Sequence, residues 1–474
     1  MRSHRHIHTL MTTAFFLAAS GCAIGPVYQR PSTPDVTAFK QADGWVSAAP
    51  ADMLERGPWW LLFGDPVLTD LAARVEVSNQ NVAAAVAAYA QARALVREQR
   101  AGLFPAVTLD SGANRSQSAS GNSSAAGSGG GRTGNNYQVS VGGSWEPDVW
   151  GRLSRAVDSA SASAQASVAD LASARLSAQG ELAVNYLTLR QLDAQKTLFG
   201  TTLTGFQRTL DITQNRYTAG IVAKTDVLQA QTQLANAQAD EAGLTRQRAQ
   251  LEHAIAVLVG EAPANFALAP AAWNPSVPDV PVGVPSELLQ RRPDIASAER
   301  GVAVANEQIG IARSAYYPSL SLGASYGLGA SRVADLFSVS SSVWSFGLSA
   351  AQSLFNAGAT TARVAGREAA HAQAVARYRQ TVLTAFQGVE DQLAATRVLL
   401  VQQGLRRQAS EAADQVEQQV LNRYRSGQVG YTEVITAQAT ALNARRALVQ
   451  AMADRQTTAV ALIQSLGGGW QAGR

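Results

Sequence analysis

Two kinds of hydrophobic pattern alternate along this chain, and the alternation happens twice. From Leu68 to Gly102 the apolar positions, many of them Ala, recur at helical spacing and stop at Leu103-Phe104-Pro105. A period of two follows, with Val107 and Leu109 set against Thr108 and Asp110. Residues 111–136 hold no Val, Ile, Leu or aromatic residue; their Ser, Gly, Asn and Ala predict a mobile loop without a core. Alternation resumes with Tyr137, Val139 and Val141 against Gln138 and Ser140, and ends at Trp145-Glu146-Pro147-Asp148-Val149-Trp150-Gly151. A long helix is expected from Arg152 to the region of Tyr217.

Six prolines between Pro263 and Pro285 then interrupt the pattern. Beyond them the plan returns. A helix is expected from Ser286 to Ala315, stopped by Tyr316-Tyr317-Pro318. Leu320, Leu322, Ala324 and Tyr326 alternate with Ser319, Ser321, Gly323 and Ser325. After a second Ser/Gly stretch, Trp344, Phe346 and Leu348 alternate with Ser345, Gly347 and Ser349. Phe355-Asn356-Ala357-Gly358 closes this hairpin, and long helices run on to about Leu466. Each half reads as helix, β-hairpin, long helix, turn, long helix.

The turn between the long helices is itself duplicated. Residues 215–234 and 422–441 agree at nine of twenty positions without a gap, 207 residues apart. Gly220 and Gly427 suit the left-handed position that ends a helix. Thr225 and Thr432 are expected at the N-cap of the next helix, with Asp226 and Glu433 in its first turn, favourable to the helix dipole. The motif therefore has a full structural explanation as a turn, and a docking role is compatible with it.

The expected organisation is a signal at 1–21, an extended arm at 22–58, a first repeat at 59–265, a Pro-rich linker at 266–285, a second repeat at 286–466 and a tail at 467–474. The β-hairpins fall at about 104–147 and 317–355, and the helical hairpin tips at about 217–226 and 424–433.

Composition narrows the chemistry. Charged residues make up only 16%, well below the roughly 25% of soluble domains, and the net charge of +4 is scattered, which argues against nucleic acid. The single cysteine excludes an intrachain disulfide. Three of the five histidines lie within the first ten residues, leaving His253 and His371 in the body, which argues against a His/Cys metal site there. No nucleophile–base pair stands out. Gly-rich 127–134 follows no buried strand and has no phosphate-loop Lys, and Arg291-Arg292-Pro293-Asp294 reads as a charged helix start.

The N-terminus reads as an export signal: Arg2 and Arg5, a short apolar core from Leu10 to Ala19, then small residues before Cys22. Placement of the lone cysteine there is similar to a bacterial lipobox, with Cys22 the expected lipid attachment site and mature N-terminus. No segment reaches the roughly 20 apolar residues of a spanning helix. The strands, however, are near the 9–11 residues of transmembrane β-strands, with one apolar and one small polar face. Four strands cannot close a barrel and open edges are not tolerated in lipid. Several copies must then share one: two would give about 8 strands with a filled lumen, three about 12 with an open one. Helical runs of about 50 residues span roughly 75 Å. Ala162, Ala166 and Ala169 share one face, where small side chains allow a close-packed helical wall. The fold class expected is thus an internally duplicated α+β membrane protein, with long α-helical hairpins and two β-hairpins contributing to a shared barrel.

The chain resembles the outer membrane factor family, the TolC-like channels, and within it the NodT/OprM-type efflux lipoproteins. The matching stretches are Cys22-Ala-Ile-Gly-Pro-Val-Tyr, Trp59-Trp60 through Phe63-Gly64-Asp65-Pro66, Trp145 to Gly151, Asn215 to Val227, Leu289 to Ile295 with Ala298-Glu299, Phe355 to Gly358, Arg423 to Val434 and Leu466 to Trp470. The resemblance implies a homotrimer with a twelve-stranded barrel in outer-membrane lipid, a periplasmic helical barrel, and diacylglycerol and palmitate on Cys22, with no other cofactor and no catalysis. It implies two partners, a periplasmic adaptor and an inner-membrane pump of the RND type. It places adaptor docking and gating at the tips, on Tyr217, Gly220, Lys224, Asp226, Tyr424, Gly427, Tyr431 and Glu433. Tyr424 and Glu433 match gate positions of some members. Val429 and Thr436 stand where the gate's Arg and second acid would be, leaving Lys224, Tyr431 and nearby Gln residues as candidates to substitute. An efflux exit duct is the function this implies. A duct for type I protein secretion is the alternative, and a structural coiled-coil envelope lipoprotein a third reading.

Overall fold

In the computed structural model the described residues are 24–33, 39–40, 58–118, 132–280 and 292–468. The signal stretch, Cys22 and the tail beyond 468 lie outside them. The chain divides into two units: Met1–Pro31, Tyr89–Ala166 and Ala298–Tyr378 form one, and Ser32–Ala88, Ser167–Ser297 and Arg379–Arg474 the other. Seven helices and four strands are described: α1 Pro66–Ser78, α2 Gln80–Ala101, β1 Ala106–Ser118, β2 Arg132–Trp145, α3 Arg152–Thr218, α4 Lys224–Leu258, α5 Pro293–Ser314, β3 Ser319–Ala330, β4 Ser342–Ala351, α6 Ala359–Arg425 and α7 Tyr431–Ser465. The two halves match in length: α2 and α5 have 22 residues each, α3 and α6 have 67, α4 and α7 have 35.

Three expectations need correction. The run from Leu68 to Gly102 is two helices. Asn79 breaks it, its Oδ1 accepting from the Asn81 and Val82 amides at 2.9 and 3.1 Å while its Nδ2 donates to the Leu258 carbonyl at 2.8 Å. Residues 111–118 and 132–136 are strand rather than loop, paired without interruption from Ser111↔Val139 to Ser118↔Arg132. A ladder satisfies its own backbone groups, so these strand ends need no core. Residues 119–131 of that expected loop lie outside the described residues. Residues 286–291 of the helix expected from Ser286 lie outside the described residues; Arg292 is not helical, and the described helix starts at Pro293, a residue that fits the first helical turn.

In the first unit the four strands form one antiparallel sheet in the order β1-β2-β3-β4. The motif from Trp145 to Gly151 turns β2 into α3. Asp148 caps that helix, accepting from the Leu153 and Ser154 amides at 2.8 and 2.7 Å. Trp150 stacks on Tyr317, with centroids 4.9 Å apart, and donates to the Pro318 carbonyl at 2.7 Å. Residues 24–33 form neither helix nor strand and are fastened to α5. Tyr28 donates to Glu299 at 2.8 Å, and Asn306 to the Pro26 carbonyl at 3.1 Å. A Cβ on Gly25 would lie 2.6 Å from the Gly310 Cα, so this contact requires glycine.

In the second unit the Trp59–Phe63 turn and α1 bury Trp59, Trp60, Phe63, Leu68, Leu71 and Val75. Asp65 caps α1 through the Val67 amide at 2.9 Å and accepts from Tyr186 at 2.7 Å. Beside it lies a buried ion group. Asp193 pairs with Arg190 at 2.9 Å and with Arg248 at 2.7 Å, and Arg248 also pairs with Glu252. Two cations meet two anions, so the charges stay compensated away from water. The group also holds the residues after α4, since Arg190 donates to the Ala269 carbonyl at 2.8 Å and the Leu268 amide to Glu252 at 3.0 Å. Further on, buried Gln456 donates to the Asn274 and Ser276 carbonyls at 2.7 and 2.8 Å and accepts from Trp273 at 2.9 Å. Proline-rich backbone lacks its own donors and partners, and these side chains supply them.

Candidate functional site

Register sorts the sheet into two chemical faces. Leu109, Val141, Tyr326 and Trp344 form one row across the four strands, and Val107, Gly143, Ala324 and Phe346 another. These side chains face outward into solvent: Leu109 is 72% exposed and Trp344 74%. The opposite face carries Thr108, Gly142, Ser325 and Ser345 in one row and Asp110, Ser140, Gly327 and Val343 in the next. Its serines bond across the strands, Ser321 to Ser349 at 2.7 Å and Ser325 to Ser345 at 2.8 Å. An apolar face of this extent left open suits contact with lipid, and a small polar face suits water. Eight steps from Tyr137 to Trp145 cover roughly 27 Å of strand, enough for an apolar band. Among the described residues β1 and β4 each have one partner strand.

The turns between long helices are built alike. At the first, the Ile221 amide donates to the Arg216 carbonyl at 2.9 Å and Gly220 to Tyr217 at 2.8 Å. At the second, Gln428 donates to Arg423 at 2.9 Å and Gly427 to Tyr424 at 3.0 Å. This bond pair, with φ of 73° at Gly220 and 75° at Gly427, is the Schellman stop that glycine permits. Asp226 and Glu433 lie in the first turns that follow. The N-caps are Ala223 and Gly430 rather than the expected Thr225 and Thr432, and neither makes a side-chain cap bond. The helices begin early enough to put each Thr at the second helical position.

The two copies differ in their surroundings. Tyr424 is 1% exposed and packs with Ala230, Val429, Tyr431 and Val434; its counterpart Tyr217 is 39% exposed. Thr213 donates to the Thr209 carbonyl at 2.9 Å, so the Tyr424 hydroxyl, 3.0 Å away, donates to Thr213. Arg216 lies over the Tyr424 ring, 4.6 Å from its centroid, and donates to the Tyr424 carbonyl. Tyr431 sits 5.7 Å from Tyr424, ring to ring. Burial, with Tyr424 and the Asp226 carboxylate nearby, pushes the Tyr431 phenol up to about 12.

Of the residues expected at the tip, the structure brings Tyr424, Tyr431 and Asp226 together, with Gly427 shaping the turn above them. Tyr217, Gly220, Lys224 and Glu433 are exposed, and neither Lys224 nor Glu433 pairs with a described charge. Val429 packs in the cluster, and the guanidinium that reaches Tyr424 is that of Arg216. Arg216 and Thr213 escaped the sequence reading. Arg216 belongs to the repeated Asn-Arg-Tyr, which was the available signal, but the repeat does not say which copy is buried.

Residues 71–261 and 284–468 match the family model for outer membrane efflux proteins. The chain belongs to the outer membrane efflux protein family. Two relatives from Pseudomonas putida, the probable efflux pump outer membrane protein TtgC and the antibiotic efflux pump outer membrane protein ArpC, are each 32% identical over 466 residues, covering 98% of this chain and 95% of the relative. The solved outer-membrane channel OprN superposes with a TM-score of 0.85 at 29% identity, over 95% of this chain and 100% of that one. This outer membrane efflux protein accordingly has the α+β channel fold, works in the outer membrane, and serves efflux. The two-faced sheet fits that place, its apolar side for lipid and its serine side for water.

Proposed function

We propose that three copies of the chain form a passive exit duct for small molecules such as drugs, within a tripartite pump. The observation that carries this is the four-stranded sheet with one exposed apolar face and two edges that have no further partner among the described residues. In lipid such edges must be paired, and β4 of one copy beside β1 of the next pairs them all. Three copies give twelve strands and an open lumen; two would give a lumen filled by side chains. The name of ArpC, an antibiotic efflux protein, supports drugs as cargo.

A periplasmic adaptor and an inner-membrane pump of the RND type complete the path. The adaptor docks at the two helical turns, and the cluster of buried Tyr424 and Tyr431 with half-buried Arg216 holds that end shut until it does. Gly220, Lys224, Tyr217 and Glu433 offer the exposed docking surface, with Asp226 and Gly427 shaping it. Cys22 carries diacylglycerol and palmitate and anchors the arm. No chemistry is performed on the cargo. A strain lacking this gene and its paralogues, with the gene restored, tests the reading. Lower accumulation of dyes and drugs upholds it. Unchanged accumulation while pump and adaptor are expressed sinks it for those cargoes and brings protein export forward.

A further inference from the structure

In the rows of the polar face from Ala106 to Ser116, Asp110 carries the charge; its companions there are Ser, Thr, Gly, Gln, Asn, Ala and Val, and Arg132 follows only at the last row, opposite Ser118. It sits at membrane depth. Its row of Ser140, Gly327 and Val343 lies between the Thr108 row and that of Gln138 and Gly329. On the other face, at the same height, stand Leu109, Val141, Val139 and Leu328. A carboxylate turned toward hydrocarbon at this depth would be costly, so it marks the wet side of the sheet. It is also held in place: Thr108 Oγ1 donates to Asp110 Oδ2 at 3.1 Å, from the next position on that face of the same strand. The small residues opposite, Ser140 and Gly327, leave the carboxylate exposed to the space in front of it.

We propose that Asp110 is a selectivity-determining residue: in the closed barrel, symmetry repeats it as a ring of carboxylates that makes the lumen prefer cations to anions. The inference rests on the barrel reading above. Rings of acidic side chains favour cations, and low-dielectric walls concentrate their field across a lumen. The register sets Arg132 on the same face, opposite Ser118, eight residues along the strand from the Asp110 row and roughly 27 Å away, so it does not oppose the carboxylates at their own level. The preference is screened by salt, over about 8 Å at physiological ionic strength and about 3 Å at 1 M, so it is strongest in dilute electrolyte.

The test uses purified full-length protein in planar bilayers under a KCl gradient. The wild type is expected to pass K⁺ over Cl⁻. Asp110→Asn should lower that permeability ratio by about threefold or more, and Asp110→Lys should invert it. A second measurement separates this inference from the barrel reading. Whole cells carrying Asp110→Cys or Leu109→Cys are treated with a hydrophilic, membrane-impermeant thiol reagent. Labelling of Asp110→Cys but not of Leu109→Cys upholds the barrel's orientation. If that pattern holds and Asp110→Asn leaves the ratio unchanged, the selectivity inference is overturned alone. If the labelling pattern is reversed, the barrel reading falls and takes the inference with it.

Discussion

Arg216 covers the ring of Tyr424 from the opposite helical hairpin, its guanidinium carbon 4.6 Å from the ring centroid and its Nη1 donating to the Tyr424 carbonyl. The contact joins the end of α3 to the end of α6 and places a cation on the last carbonyls of α6, where the helix dipole favours it. It is the described link that ties the two duplicated turns through an aromatic ring. A cation–π contact of this kind contributes roughly 0.5–2 kcal/mol. Arg216→Ala should therefore loosen the turns without unfolding the chain. Higher resting conductance in planar bilayers, and greater entry of a bulky antibiotic in cells, are expected. Tyr424→Phe, which loses only the bond to Thr213, should have a smaller effect, about 1 kcal/mol. Equal conductance in Arg216→Ala and wild type would remove Arg216 from the closing machinery.

Tyr431 gives this end a pH dependence. Its phenol is pushed up to about 12 by burial, Tyr424 and Asp226, while the unfolded chain titrates near 10. The folded state therefore keeps its proton where the unfolded state has lost it. The stability this represents is fully present below pH 10 and is lost as pH rises toward 12. Tyr186 is shifted to the same range, by burial and its bond to Asp65. Denaturation midpoints of the wild type should fall across that window. Tyr431→Phe should flatten part of the fall, and phenolate absorbance should show late-titrating tyrosines. A flat profile in the wild type would contradict the burial of both rings.

Asp193 is the anion that two arginines share, 2.9 Å from Arg190 and 2.7 Å from Arg248. Removing it leaves two buried cations with Glu252 as their remaining carboxylate partner in the group. Breaking a buried pair costs about 3–5 kcal/mol. Asp193→Ala is expected to lower the yield of assembled protein sharply and to free residues 268–271, which the group holds. Limited proteolysis near Leu268 would report the second effect. A variant as stable and protease-resistant as wild type would show that the group is not needed to hold that segment.

Much of this was readable in the chain because the physics was local. The period-two stretches around Val141 and Phe346 became strands, and Gly220 and Gly427 took the left-handed φ that their positions demanded. Residues 111–118 misled because a strand beyond an apolar band needs only a partner strand, and composition cannot show a ladder. Thr225 and Thr432 misled because capping preference is weaker than the turn geometry set two residues earlier. Arg216 was hidden by symmetry: two identical Asn-Arg-Tyr triplets look equivalent, and only packing buries Tyr424 and leaves Tyr217 exposed. The Asp193 group joins residues 55 apart in sequence, a separation over which no spacing rule acts.

The faces of the sheet make opposite demands on charge, and this separates the channel reading from any soluble one. Leu109 and Phe346 stand on the exposed apolar side; Ser140 and Ser325 stand on the side of Asp110. In a barrel wall, an Arg at mid-depth on the lipid side costs about 2–4 kcal/mol, whereas the lumen side meets water and tolerates it. Leu109→Arg and Phe346→Arg should reduce the assembled species in outer-membrane fractions, seen as loss of the heat-modifiable band on gels. Ser140→Lys and Ser325→Lys should assemble normally and change conduction instead. In a water-soluble sheet the order would be reversed or flat, since an Arg replacing an exposed Leu109 would improve solvation. Assembly that tolerates arginine on the apolar side as readily as lysine on the serine side would therefore take this sheet out of the membrane.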